Sequence, residues 1–429
     1  MIRKESSEGI GYSVIERHRI RHVFAAAAPR GGTTLAEQAD DALQTIERVM
    51  EDEGTHRSIV KQDVFVSQAR DIPEARRIIH DFYGSDLPAT SYIAQPPCNG
   101  KLIAIEALGL GRGQEQILRV SEQVVVTRYN DITCVHCAHF RPLSASGSVY
   151  DRTRSAFEQL ARAVSSQSLA FDRVIRTWLY LGDIVGPEGE TQRYMELNRA
   201  RTDFFRGIEF GMGMTLPGRD RPIYPASTGI GTDGRDIVMS CIALSTPRED
   251  VRVVALENPQ QVSAFDYGSR YGQKSPKFAR AMAVTQGPCA IIYVSGTASI
   301  TDSETRHVGD VEGQTWLTLD NIAALISEGN LAAHGLPGMG ATLDDMALVR
   351  VYVKRAEDYA KVKAVCDVRL GELPSIYAVG DVCRPELLVE IEGIAFSTSC
   401  LCGQQSRLYN RECPPHEAEH GCCPRNDSR

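Results

Sequence analysis

The feature that most constrains this chain is a repeat, because an amphipathic helix recurs three times with the same elements after it. In the first copy Leu35, Ala39, Leu43, Ile46 and Met50 mark an apolar face between about Leu35 and Glu53. In the second Phe157, Leu160 and Val164 do so between about Arg154 and Val164. In the third Trp316, Leu319, Ile322 and Ile326 do so between about Gln314 and Glu328. A run rich in β-branched and aromatic residues follows each helix: 59–66, 174–181 and 347–353. Then come a second helix (74–83, 192–205, 358–370) and two closing strands (91–95 with 102–107, 227–230 with 236–244, 376–379 with 387–396). A chain with this order predicts three similar α+β units, each hiding a helix face against a sheet.

Composition narrows the function. The formal net charge is -8 and no long basic run occurs, which argues against nucleic acid or an anionic membrane as partner. No stretch approaches the roughly 20 apolar residues of a membrane span, and the segment Met1 to Glu8 lacks the apolar core of a secretory signal. A cytoplasmic protein, monomer or small oligomer, is expected, with its 12 cysteines reduced. The Gly-rich run from Leu108 to Gly113 reads as a linker and Ser245 to Asp250 as a second boundary. The expected division is therefore 1–113, 114–248 and 249–398, with a Cys-rich tail at 399–429. Cys400, Cys402, Cys413, His416, His420, Cys422 and Cys423 gather soft ligands in that tail. No Cys-x-x-Cys pair there has a matching second pair, so they stand as metal candidates without an assigned site, and no cofactor is expected. In Cys134-Val135-His136-Cys137 strand alternation sends the two cysteines to opposite faces, which argues against zinc.

The repeated order, with Gln314 ahead of Asn321-Ile322 and with Leu87-Pro88-Ala89, resembles the Rid (YjgF-like) fold. The resemblance implies an α+β protein of three tandem Rid/YjgF-like (chorismate-mutase-like) units arranged as a pseudo-trimer, with clefts between units. Ordinary Rid deaminases place an Arg after Pro-Ala, where its planar fork clamps a carboxylate. Here the runs are Pro88-Ala89-Thr90, Pro225-Ala226-Ser227 and Pro374-Ser375-Ile376, so that chemistry is not expected. The family's final-strand Glu survives in Glu390-Ile391-Glu392 but not in Ala104-Ile105-Glu106 or Val238-Met239-Ser240. Attention falls on one cleft beside the third copy, with the first copy as a supporting unit.

From about 115 to 398 a further series of runs resembles chorismatases: Arg176-Thr177-Trp178, Pro225 to Gly231, Glu257-Asn258-Pro259, Tyr267, Tyr271-Gly272 and Phe278 to Ala281. It continues through Ser295-Gly296-Thr297-Ala298, His307, Gly309 to Gln314, Val351 to Arg355 and Leu387 to Gly393. The first hundred or so residues lie outside this series. The resemblance implies release of pyruvate from chorismate, an anionic small molecule with two carboxylates. Arg280, in the apolar strand expected from Phe278 to Met282, and Arg176, Arg350 and Lys354 are candidate carboxylate ligands, and Tyr267 and Tyr271 candidate hydroxyl donors. Cleaving the enol ether requires protonating its methylene carbon, and Glu390, in an apolar strand on the same face as Glu392, is the candidate acid. One subclass of the family lets water attack and gives a dihydroxy-cyclohexadiene carboxylate, typically with Ala and Gln near the acid. Another gives 3-hydroxybenzoate by internal attack of the ring hydroxyl, typically with Gly and Cys. Gly296, and Cys383 seven residues before Glu390, resemble the latter, with the thiol a candidate nucleophile or acid–base group. Two other readings stay open: an enzyme acting on another unsaturated or imine-type carboxylate, and a non-catalytic binding or scaffold protein.

Overall fold

In the computed structural model, residues 2–113, 115–211, 221–268 and 271–397 are described; the tail cysteines and histidines lie outside them. The first stretch gives β1 (Arg3–Ser7), β2 (Ile10–Arg17), β3 (Ile20–Ala27), α1 (Leu35–Asp52), β4 (Ile59–Val66), α2 (Ile72–Tyr83), β5 (Ala89–Ala94) and β6 (Ile103–Gly111). The second gives β7 (Gln116–Ser121), β8 (Val124–Tyr129), β9 (Ile132–Phe140), α3 (Val149–Ser165), β10 (Val174–Gly182), a short hairpin of β11 (Pro187–Glu188) and β12 (Thr191–Gln192), α4 (Arg193–Phe205), β13 (Ala226–Thr232) and β14 (Ile237–Ser245). The third gives β15 (Val253–Leu256), β16 (Ala281–Gln286), β17 (Cys289–Ala298), a hairpin of β18 (Ile300–Thr301) and β19 (Glu304–Thr305), α5 (Val311–Ile326), α6 (Glu328–Ala333), β20 (Met346–Val353), α7 (Tyr359–Leu370), β21 (Ser375–Val379) and β22 (Val389–Phe396).

These strands form three six-stranded sheets in one order: β1-β2-β3-β6-β4-β5, β7-β8-β9-β14-β10-β13 and β15-β16-β17-β22-β20-β21. Each is antiparallel except at one edge, where a helical crossover returns the chain parallel: β4 with β5, β10 with β13, β20 with β21. Local chemistry fixes the helix starts. Thr34 and Glu37 close a capping box on α1, and the Ser148 and Asp310 side chains cap α3 and α5.

Each sheet is covered on one face by its own helices. Leu43 and Ile46 of α1 pack with Val64 and Ile105, Phe157 and Leu160 of α3 with Val135 and Leu179, and Leu319 and Ile322 of α5 with Val351 and Ile391. The opposite faces meet in a shared core, where Phe24 and Phe65 of the first sheet join Trp178 and Tyr180 of the second and Tyr352 and Phe396 of the third. Burial on both faces explains why β4, β10 and β20 have no exposed position.

Three details depart from the sequence expectation. The glycines at 109 and 111 do not form a linker but end β6; a Cβ on Gly109 would stand 2.6 Å from Met50 Sδ, and one on Gly111 2.8 Å from Thr55 Cγ2. They are there so that the end of α1 and the following turn lie flat on the strand. Trp316 is not on the buried face of α5. It is 41% exposed beneath the Arg369 guanidinium, while Thr315 and Thr318 face inward. Arg280 does not sit within a strand; it immediately precedes β16, although it is buried. Cys134 enters the shared core and Cys137 the core beneath α3, on opposite faces as alternation requires.

Candidate active site

A cavity of about 330 Å³ opens between the second and third sheets. Its walls are Tyr194 and Arg201 from α4, Ser227 and Gly229 from β13, Gly296 from β17 and Glu390 from β22, and Arg280, Tyr267, Tyr271, Cys383 and Arg384 complete it from loops. Six of the residues singled out in the sequence thus meet in one place.

A β-bulge shapes the floor. Between β17 and β22, Val294 faces Gly393 and Thr297 faces Ile391, so Ser295 and Gly296 both stand opposite Glu392. The bulge turns Gly296 towards Glu390. A Cβ at Gly296 would overlap Glu390 Oε1 and lie 2.9 Å from its Cδ and 3.2 Å from Thr228 Cγ2. Glycine here makes room for the carboxyl group, not for an unusual φ.

Glu390 is 5% exposed, and its carboxyl has no hydrogen-bond partner among the described residues. Burial, with the nearby negative charge of Glu392, pushes its pKa up to about 8, against the opposing pull of Arg176 and Arg280. It is therefore a neutral acid at pH 7. The Cys383 thiol is pushed up to about 12 by burial and by Glu390, so it stays protonated and is no thiolate nucleophile at rest.

Three guanidiniums rim the cavity. Arg280 donates from Nη2 to the Tyr267 hydroxyl at 2.6 Å and the Val262 carbonyl at 2.8 Å. Arg201 bonds Asn198 and reaches Ser227 Oγ at 3.5 Å. Arg384 donates to the Ser303 carbonyl at 2.9 Å and lies 4.0 Å from the Tyr271 ring centroid. Arg201 Nε, Arg280 Nε and Arg384 Nη2 have no partner among the described residues. Unspent buried N–H groups of this kind suit an anionic ligand. Ser227 occupies the position where ordinary Rid proteins carry their arginine, and Arg201 brings a guanidinium to the same spot from a helix.

Other candidates go elsewhere. Arg176 and Arg350 are buried outside the cavity, their charges engaged by Glu392 and, for Arg350, by Asp63 and Glu106 as well. Lys354 pairs with Asp381 at 2.7 Å and donates to the Pro385 carbonyl. None of these three lines the cavity, and each is already paired within the protein, which leaves the arginines at the cavity rim better placed for a substrate carboxylate. Glu392, on the same strand face as Glu390, accepts from Tyr352 at 2.6 Å and Trp178 at 3.0 Å and is held below the usual carboxylate range, where Arg176 and Arg350 outweigh its burial.

Comparison with known proteins agrees with this architecture. Residues 276–397 match the Endoribonuclease L-PSP family, which places the third unit among Rid-type α+β folds. A 3-hydroxybenzoate synthase of Streptomyces hygroscopicus is 35% identical over 257 residues, 58% of this chain and 70% of that protein. A chorismatase of the same organism is 34% identical over 252 residues, covering 58% and 68%. The chain belongs to the chorismatase family. A chorismatase crystal structure superposes with a TM-score of 0.63 at 23% identity, covering 89% of this chain and 99% of the other. The span 115–398 is only about two thirds of the chain, so this fold match reaches into the N-terminal sheet, which the sequence motifs had left outside the family pattern.

Proposed function

We propose that this chain releases pyruvate from chorismate and forms 3-hydroxybenzoate, an aromatic building block for secondary metabolism. The observation that carries the reading is Glu390: a protonated, unbonded carboxyl facing a cavity rimmed by arginines. Arg201, Arg280 and Arg384 take the two substrate carboxylates, and Tyr267 and Tyr271 flank the ring. The Glu390 proton passes to the methylene carbon of the enol ether and leaves an oxocarbenium ion on the side chain. The ring hydroxyl attacks that carbon in place of water, its own bond to the ring and then the original ether bond to the side-chain carbon break, and pyruvate departs with the hydroxyl oxygen while the ether oxygen stays on the ring. The hydroxyl proton and one ring proton are released, while the methylene carbon and the phenol oxygen each take one up. No water is consumed and the sum balances.

Cys383, a neutral thiol beside Glu390, supports the internal route because it offers water a poor hydrogen-bonding partner. On this reading the three sheets act as the units of a pseudo-trimer, divided near 113 and 248, and the cleft between the second and third holds the final-strand glutamate Glu390. Incubating the pure protein with chorismate, while following pyruvate by a coupled dehydrogenase and the aromatic product by chromatography, tests it. Equimolar pyruvate and 3-hydroxybenzoate are expected, and Glu390→Gln should cost ~10²–10⁴-fold in rate. A folded wild-type protein that yields no pyruvate rejects the reading.

A further inference from the structure

Where the three sheets meet lies a buried charge cluster outside the cavity. Arg350 on β20 is its hub. It donates from Nε and Nη2 to Glu106 on β6, at 2.7 and 2.6 Å, pairs through Nη2 with Asp63 on β4, and donates from Nη1 to Glu392 at 3.2 Å. Two of its three acids therefore come from the N-terminal sheet. Asp63 also pairs with Lys61, whose ammonium stands 4.5 Å from the Trp178 ring centroid. The cluster reaches the cavity through Thr228, which bonds Glu392 and accepts the Gly296 N–H at 3.0 Å. Its cations Lys61, Arg176 and Arg350 match its acids Asp63, Glu106 and Glu392, and all six are buried.

We propose that Asp63 is a positioning residue for the reaction, acting through Arg350: with Glu106 it holds that guanidinium on the N-terminal sheet and keeps the charge behind Glu390 balanced. The inference deepens the proposed function and rests on Glu390 being the acid. The groups facing Glu390 are Glu392 on its own strand, Arg176 from β10, Arg280 ahead of β16, Tyr194 from α4 and Cys383 from the loop before β22. Glu392 disfavours the Glu390 carboxylate, and Arg176 and Arg280 favour it. Among residues buried this deeply an unmatched charge acts well beyond contact distance. Removing the Asp63 charge leaves excess positive charge and favours the carboxylate; removing the Lys61 charge does the reverse.

The test is the pH profile of kcat for wild type, Asp63→Asn and Lys61→Met. The alkaline limb should move to lower pH in Asp63→Asn and to higher pH in Lys61→Met, each by roughly half to one unit. A purely structural role lowers activity at every pH and leaves the limb in place, and that result, or two shifts in the same direction, overturns the proposal. If Asp63→Asn does not fold by circular dichroism, Lys61→Met decides alone, because methionine keeps the apolar stem over Trp178. Glu390→Gln run in parallel separates the two failures: activity surviving in it removes the acid assignment, whereas activity lost in it with unmoved limbs removes only the role of Asp63.

Discussion

In the cleft between the second and third sheets, Ser295 and Gly296 bulge opposite Glu392; in its counterpart between the first and second, Ala138 and His139 bulge opposite Ser240. The registers make further pairs. Glu390 corresponds to Val238, and Gly229 on β13 to Tyr92 on β5. Even the bridging hydroxyls match: Thr228 bonds Glu392, and Ser91 lies 2.8 Å from Ser240. In the counterpart, Tyr92 and His139 stand where Gly229 and Gly296 stand, and they line a cavity of about 320 Å³ with Arg76, His80, Glu122 and Arg141. The Tyr92 and His139 rings meet edge to face at 5.4 Å, and His139 Nδ1 accepts the Tyr92 N–H at 3.2 Å. The same backbone device thus yields two cavities of similar size, one that reaches the buried Glu390 carboxyl past two glycines and one where a tyrosine and a histidine stand in front of Val238. What separates the two clefts is side-chain volume at two positions and a carboxyl group on the final strand.

Copying the histidine into the cleft that holds Glu390 should break it. Gly296→His puts atoms where the Glu390 carboxyl now sits, and a displacement of about 1 Å from reacting geometry costs ~10²-fold or more. Steady-state pyruvate release should fall by at least that factor with the melting temperature little changed; retained activity would mean the acid does not work from this position. A smaller effect is expected at Cys383. Cys383→Gln replaces a neutral thiol with an amide able to hold water, so the 3-hydroxybenzoate share should drop by about tenfold relative to the diene diol, ~1.4 kcal/mol between the two routes. Chromatography of the products reads this directly.

Glu390 also marks the two clefts thermodynamically, since Val238 has no charge to bury. Its folded-state pKa, about 8, lies above the ordinary carboxyl value of 4.5. The stability it contributes is therefore fully present below about pH 4.5 and is lost as pH rises through 8. Wild type should lose several kcal/mol on this account between those limits, and Glu390→Gln should not. Chemical denaturation of both at pH 5 and pH 9 gives the difference; parallel curves would mean that water reaches the carboxyl.

Much of this was legible in the sequence, for reasons that differ by residue. The repeat and the continuous apolar strands exposed the fold because helix and strand periods are local. Glu390, Gly296 and Cys383 stood out because they fall in runs of recognisable order. Arg201 and Tyr194 were missed, although a signal existed: with Leu197 and Phe205 they lie on the buried side of α4, and an arginine among apolar neighbours at helical spacing needs an anion. Arg384 was overlooked beside Cys383. Arg176 and Arg350 lie away from this cavity, and sequence can suggest that an arginine is buried but not which acid it meets: Glu392 is more than two hundred residues from Arg176, as are Asp63 and Glu106 from Arg350.

The smallest expected effect lies in the cleft between the first and second sheets. His139 has φ 59°, a left-handed conformation that glycine adopts more readily. His139→Gly relieves that strain but gives up the ring contact with Tyr92 and the acceptor for its N–H, which water takes over as the existing cavity widens. These terms oppose one another, so stability should change by no more than about 1 kcal/mol, and chorismate turnover should stay within about twofold because His139 does not face the cavity that holds Glu390. A melting curve and a pyruvate assay suffice. A large fall in turnover from this distant glycine would mean that the clefts are mechanically coupled through β14, whose Ser240 hydroxyl accepts the His139 N–H and whose other edge pairs with β10, the strand that carries Arg176.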